Sequence, residues 1–342
     1  MRKVGCLGGT FDPVHKGHLA LAKRVMKAFQ LDEIWFIPTK DTPLKDRSCT
    51  PFSVRLNMLK IACKPYRKFK VCTIENELPT PSYTIQTVKE LKKRYPDVLF
   101  HWIVGDDQVA QFSAWKNIDE LLGMIQFIAV NRNQVDIQDE RLWVMHDVKL
   151  KESSTRVRQG YFNDCPKGVR NYILKNEYYL EDVVLAHCSE KRARHVFSMT
   201  EVCLALAKKH GVNHHEARMA GMLHDICKEQ NFDEMMNVMN IEYPELLRYS
   251  PKIFHSFTAI PWIKENMGYT NQKVLRAIFN HTICYSKSKL SRIVFIADKI
   301  DPSRGYDSSS LYEISLRNLE AGYQKVLKER DEYLVKEGEH VQ

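Results

Sequence analysis

The chain has 342 residues, 44% of them hydrophobic and 27% charged, with a formal net charge of +9. This length suggests about two domains with ordinary buried cores, and no apolar run approaches the ~20 residues of a membrane helix. The basic balance suits anionic partners, yet no nucleic-acid module accompanies it, so small phosphate-bearing molecules are expected and nucleic acid and membrane are not.

Residues 4–7 form an apolar run that reads as a strand, and residues 19–22 open a helical pattern. Beyond them, short apolar runs at 33–37, 71–74, 99–104 and 125–130 alternate with helical patterns such as 53–62 and 84–95. Such alternation argues for an α/β, Rossmann-like domain with a parallel sheet and helices on both faces. Ligands then belong at the carboxyl ends of the strands. After about residue 185 apolar residues recur at three and four, as in Val196, Met199, Val202, Cys203 and Leu206, which reads as an all-α domain. There is no repeat and no low-complexity linker. The join lies near 178–186, dividing the chain into domains 1–182 and 183–342. Residues 311–336 read as a charged, solvated packing helix. The nine cysteines are scattered without a C-x-x-C pair, which implies reduced thiols in a cytoplasmic protein. The amino terminus runs directly into a strand, leaving no room for a signal peptide.

Between the first strand and first helix lies Gly8-Gly9-Thr10-Phe11-Asp12-Pro13-Val14-His15-Lys16-Gly17-His18. A glycine-bearing turn before a helix aims backbone N–H groups and the positive helix end at an anion. His15 and His18 stand on one face of the opening turn. Two imidazole donors there suit neutralisation of charge as pyrophosphate leaves a nucleoside triphosphate. Thr10 followed by His15-x-Gly17-His18 resembles the signature of the HxGH nucleotidyltransferases, Rossmann-like enzymes that join a phosphate to the AMP part of ATP.

Further segments resemble one branch of that group, the nicotinate-nucleotide adenylyltransferases. Ser153-Ser154-Thr155-Arg156-Val157-Arg158 is close to the family's ISSTxxR, with Glu152 where the family has a hydrophobic residue. Ser82-Tyr83-Thr84, continuing to Thr87, Gly105-Asp106-Asp107 and Trp115 match further family segments. The resemblance implies that ATP meets Gly8, Gly9, Thr10, Phe11, His15, His18, Gly105, Asp107, Ser153, Ser154, Thr155 and Arg158. It implies that the nicotinate nucleotide meets Lys45, Tyr83, Thr84, Thr87, Asp107, Trp115 and Arg132, with the indole stacked on the pyridine ring. His15, His18, Lys45 and Arg158 would position and neutralise. Mg²⁺ would arrive with ATP.

In the second half, His224-Asp225 ends a helical pattern, His195 lies one helix upstream and Asp298 lies downstream. This resembles the HD metal-dependent phosphohydrolases. The contexts around His224-Asp225, His255, His281 and Asp298 are similar to the bacterial HD-type symmetrical diadenosine tetraphosphate hydrolases, although Ser256 stands where the relatives often have Gly. The resemblance implies a dinuclear site of His195, His224, Asp225, His255, His281 and Asp298, with Asp225 also catalytic. The mixed imidazole and carboxylate set suits Fe or Mn, and two ions can share a hydroxide. Lys228 and Arg304 would face the substrate phosphates. The whole reads as a bifunctional enzyme with ATP, nicotinate mononucleotide and diadenosine tetraphosphate as partners. A homo-oligomer stays open, as does an HD domain that acts on another nucleotide or senses one.

Overall fold

The computed structural model describes residues 1–40, 49–81, 83–133, 135–146, 148 and 150–336. The chain separates into two compact units. The first comprises Met1–Val157 and Asn163–Tyr172, the second Arg158–Phe162 and Ile173–Gln342.

The first unit is built on six parallel strands: β1 (Arg2–Gly9), β2 (Glu33–Pro38), β3 (Phe69–Val71), β4 (Val98–Gly105), β5 (Gln126–Val130) and β6 (Leu142–Met145). Their spatial order is β3-β2-β1-β4-β5-β6. Around them lie α1 (Lys16–Ala28), α2 (Phe52–Cys63), α3 (Thr84–Arg94), α4 (Asp106–Val109) and α5 (Ile118–Met124). α6 (Ser154–Arg158) and α7 (Lys167–Asn176) each contribute residues to both units. Because side chains alternate across a strand, both sheet faces must be apolar. Val4, Cys6, Trp35, Ile37, Phe100, Trp102, Phe127 and Ala129 join one core cluster, and the intervening Ile34, Phe36, Ile103 and Ile128 are equally buried. The strand order reverses between β1 and β4, which opens a crevice at their carboxyl ends.

Three local expectations shift. The run at 71–74 splits, with β3 ending at Val71 and a 3₁₀ turn over Ile74–Asn76. β6 is an additional edge strand only four residues long, with Trp143 exposed, so its apolar pattern was brief. The charged tail is two helices, broken at Asn318, and Tyr323 and Val326 pack inward.

The second unit is helical: α8 (Leu180–His187), α9 (Glu190–His210), α10 (His214–Leu223), α11 (Phe232–Glu242), α12 (Phe254–Trp262), α13 (Gln272–Asn280), α14 (Lys289–Ile300), α15 (Ser309–Arg317) and α16 (Leu319–Lys336). α9 packs on α10 and α14, and α13 packs on α10, α12 and α14. Gly221 allows the α9–α10 approach, since a Cβ there would lie 2.7 Å from Thr200 Oγ1 and 3.1 Å from Thr200 Cα. Among the described residues no helix is long and apolar enough to cross a membrane.

Candidate active sites

In the first unit, β1 ends at Gly8–Gly9 beside the carboxyl ends of β2 and β4, with Gly9 paired to Pro38 and Leu7 to Ile103. The chain then turns through Phe11, held at φ 49°, to His15, which caps α1 in an extended conformation. His18 Nδ1 accepts the His15 backbone N–H at 3.2 Å, and the two rings lie 3.7 Å apart, centroid to centroid. Both imidazoles therefore stand where the first-turn amides and the positive end of the helix dipole are exposed to a ligand. Gly17 makes room for the His15 ring, since a Cβ there would lie 2.9 Å from His15 Nδ1. Burial, helped by the Arg132 charge, lowers the His15 pKa to about 4. Near neutral pH the ring is uncharged and carries one N–H.

β4 ends at Gly105, paired with Val130 of β5. Asp106 is buried and accepts backbone N–H groups from Asp107, Arg132 and Asn133 at 3.1, 3.1 and 2.7 Å. Burial works against its charge, but these bonds and Arg132 hold its carboxyl below the usual range. Arg132 Nη2 donates to Asp107 Oδ1 at 2.6 Å. A Cβ on Gly105 would come within 2.2 Å of that carboxylate oxygen and 2.6 Å of Arg132 Nη2. Thus Gly105, Asp107 and Arg132 are brought together beside β1, and Asp106, unassigned by the sequence reading, fastens them.

Tyr83 caps α3, with its N–H donated to Gln86 Oε1 at 3.1 Å. The Lys116 ammonium lies 4.7 Å over its ring. Thr84 opens α3. Thr87 is fully buried and donates to Glu75 Oε1 at 3.1 Å, so its hydroxyl is engaged inside the fold. Trp115 packs edge-on against Phe112 at 5.2 Å. Ser153 Oγ accepts the Arg156 N–H at 3.0 Å, and Ser154 Oγ donates to the Pro13 carbonyl at 2.9 Å, linking α6 to the β1–α1 turn. Thr155 lies within α6 and Arg158 ends it. Lys45 lies outside the described residues. The sequence reading missed Arg55, which is 2% exposed. Its guanidinium donates to the carbonyls of Thr10, Thr50 and Lys40 at 2.7, 2.8 and 3.3 Å. The signal was present: Arg55 is in phase with the buried Met58, Leu59 and Ala62 of α2.

In the second unit, His195 on α9, His224 after α10, His255 on α12, His281 after α13 and Asp298 on α14 converge with Asp225, all 7% exposed or less. They form two clusters, His195–His224–Asp298 and Asp225–His255–His281. Asp225 joins them. Its Oδ2 is 3.9 and 3.6 Å from Nε2 of His195 and His224, and its Oδ1 is 3.2 and 3.6 Å from Nε2 of His255 and His281.

Two histidines are oriented by the helix ends they follow. His224 Nδ1 donates to the Gly221 carbonyl at 2.7 Å, and His281 Nδ1 to the Ile278 carbonyl at 2.6 Å. Each Nε2 therefore presents a lone pair toward the carboxylates. The His224 Nε2 is fully buried without a hydrogen bond and lies 3.9 Å from Asp298 Oδ1. Lone pairs facing buried carboxylate oxygens repel unless a cation sits between them, so the donor set fits divalent metal ions. Burial lowers the His224 pKa to about 4, which keeps it a neutral ligand. Burial also opposes charge on Asp225 and Asp298, yet histidine neighbours for the first, and Lys299, His195 and Arg304 for the second, hold both well below the ordinary range.

Asp301 and Arg192 had no role in the sequence reading. Asp301, fully buried, accepts from His195 Nδ1 at 2.8 Å and fixes that ring. Arg192 Nη1 donates to Asp225 Oδ2 at 2.8 Å. Arg304 Nη2 donates to Asp298 Oδ1 at 2.6 Å. Lys228 Nζ donates to the Lys252 carbonyl at 2.9 Å and lies 3.3 Å from His255 Nδ1. Both expected phosphate-facing cations thus border the clusters.

The cytidylyltransferase-like family matches residues 6–160 and the HD domain family residues 192–303. A probable nicotinate-nucleotide adenylyltransferase of Bacillus licheniformis is 42% identical over 187 residues, covering 52% of this chain and 99% of the relative. A probable nicotinate-nucleotide adenylyltransferase/Ap4A hydrolase of Mycoplasma pneumoniae is 28% identical over 340 residues, covering 94% of this chain and 97% of the relative. Among solved structures, a predicted HD superfamily hydrolase involved in NAD metabolism from Clostridium acetobutylicum is 22% identical with a TM-score of 0.45, covering 48% of this chain and 89% of that one.

Proposed function

From the premise that the chain belongs to the nicotinate-nucleotide adenylyltransferases, extended by an HD domain, we propose a bifunctional enzyme. Residues 1–182 transfer AMP from ATP to nicotinate mononucleotide, and residues 183–342 hydrolyse diadenosine tetraphosphate to two ADP. The first activity is supported above all by the His15–His18 pair at the amino end of α1, in the crevice where the strand order reverses. The mononucleotide phosphate oxygen bonds to the α-phosphorus as the bond to the departing pyrophosphate breaks. No side-chain nucleophile is required. The α1 amides, His15, His18 and Lys45 bind and orient the phosphates, Trp115 offers a face to the pyridine, and Mg²⁺ enters with ATP.

The second activity is supported by the two clusters that share Asp225. His195, His224 and Asp298 would hold one divalent ion, and Asp225, His255 and His281 the other, with Fe or Mn suited to this donor set. Such a pair supplies an activated water and neutralises phosphoryl oxygens. Asp301 keeps His195 aimed. Arg192, Lys228 and Arg304 offer cations for the polyphosphate.

The test incubates the purified protein and Mn²⁺ with diadenosine tetraphosphate, and separately Mg²⁺ with ATP and nicotinate mononucleotide. ADP as sole product, lost in His224→Ala, and nicotinate adenine dinucleotide, lost in His18→Ala, are expected. ATP plus AMP from the first incubation would overturn the symmetrical assignment.

A further inference from the structure

The residue that follows each histidine of the Asp225 cluster is a hydroxyl residue, and the two hydroxyls meet. Ser256 Oγ and Thr282 Oγ1 are 2.9 Å apart. Ser256 is fully buried and its hydroxyl donates to the Ile253 carbonyl at 2.7 Å. Its lone pairs are thereby left for Thr282, which donates to it. The chain of bonds runs from Thr282 to Ser256 to Ile253, and joins the turn after α13 to the start of α12.

We propose that Ser256 and Thr282 are positioning residues that set the separation of His255 and His281 for a shared metal ion. The proposal rests on the metal reading of the helical unit given above. The two Nε2 atoms are 3.2 Å apart. Two imidazole nitrogens bound side by side to one transition metal ion, each at ~2.1 Å, stand about 3 Å apart. Without an ion the same separation is that of a hydrogen bond between the two rings, and with one it suits two adjacent ligands, so both states need the same backbone spacing.

His255 lies in a helix and is held by it. His281 lies where α13 has ended, in a turn that reaches Cys284 at φ 63°, a left-handed conformation for a residue with a Cβ. Tyr323 Oη on α16 donates to the Cys284 carbonyl at 2.7 Å and secures the far end of this turn. The Thr282–Ser256 bond secures the near end, one residue from the ligand. The Ile278 carbonyl orients the His281 ring, and the tether fixes the backbone one residue beyond it. His224 of the other cluster follows α10 directly and its ring is held by the Gly221 carbonyl.

The experiment measures Mn²⁺ content and electron paramagnetic resonance of the full-length wild type, Thr282→Val, Ser256→Ala and Thr282→Ser, with circular dichroism to verify folding. The wild type should take up about two ions per chain and give the signal of a coupled pair. Thr282→Val and Ser256→Ala should bind the second ion about tenfold more weakly, the low end of the loss seen when a bond made directly to a ligand is removed, and give the signal of an isolated ion. Thr282→Ser should restore the pair. If either folded variant keeps the coupled pair at unchanged affinity while the wild type holds two ions, the tether is refuted. A wild type holding one ion or none removes the underlying metal reading itself, and the proposal with it.

Discussion

Gly17→Ala isolates what the placement of His15 contributes. An added Cβ would lie 2.9 Å from His15 Nδ1 and 3.0 Å from Cε1. Comfortable contact begins near ~3.5 Å, so the imidazole must retreat by about 0.6 Å. It has little room, being 6% exposed with its ring 3.7 Å from that of His18. Misplacement by about 1 Å costs on the order of 10²-fold in a reaction that depends on alignment, so adenylyl transfer should fall about 10–100-fold. Alanine gains up to about 0.5 kcal/mol over glycine at this helix end, less than in a helix interior, which offsets part of the strain, and the urea midpoint should move little. The assay follows pyrophosphate release with ATP and nicotinate mononucleotide, and takes hydrolysis of diadenosine tetraphosphate by the same sample as an internal control. An unimpaired transfer rate in Gly17→Ala would refute the idea that the position of the His15 ring matters to the reaction.

Three more outcomes can be checked. His15 has a pKa of about 4 in the fold against 6.5 when free, so the unfolded chain takes up the extra proton; this group is neutral to stability above pH 6.5 and erodes it as pH falls toward about 4. His15→Asn should flatten the urea midpoint across that window, and parallel profiles would count against the burial argument. Asp301→Ala removes the acceptor of His195 Nδ1 and should weaken metal binding about 10–100-fold, measured by competition with a chromogenic chelator. Arg55→Met strips the donors from three backbone carbonyls and should cost roughly 2–4 kcal/mol in urea unfolding, with a change below about 0.5 kcal/mol showing that those carbonyls find other donors.

Much of the fold was legible because its signals are local. Apolar runs of strand length separated by helical periods specify a parallel sheet, and a three-to-four period over the second half specifies helices. β6 and the break at Asn318 escaped because a four-residue edge strand and a single irregular residue leave almost no pattern. The proposed catalytic turn was legible for the same reason as the sheet: the glycines, His15 and His18 lie within one strand–turn–helix unit. Gly17 is explained by a neighbour two residues away.

The sequence by itself determined the donor types and their local order: two histidines on one helical turn, a His-Asp pair at a helix end, and further imidazoles and a carboxylate on separate helices. Only the tertiary structure decided how they combine. The division into two clusters with Asp225 between them depends on five segments meeting at one point. The bond from His195 to Asp301 spans 106 residues and that from Arg192 to Asp225 spans 33, separations at which no spacing rule operates. Arg55 is similar, since a cation on an apolar helix stripe reads as an anomaly until the carbonyls it serves are brought to it. Local sequence dictates what each segment can donate or accept, and packing of distant segments dictates which partner it meets.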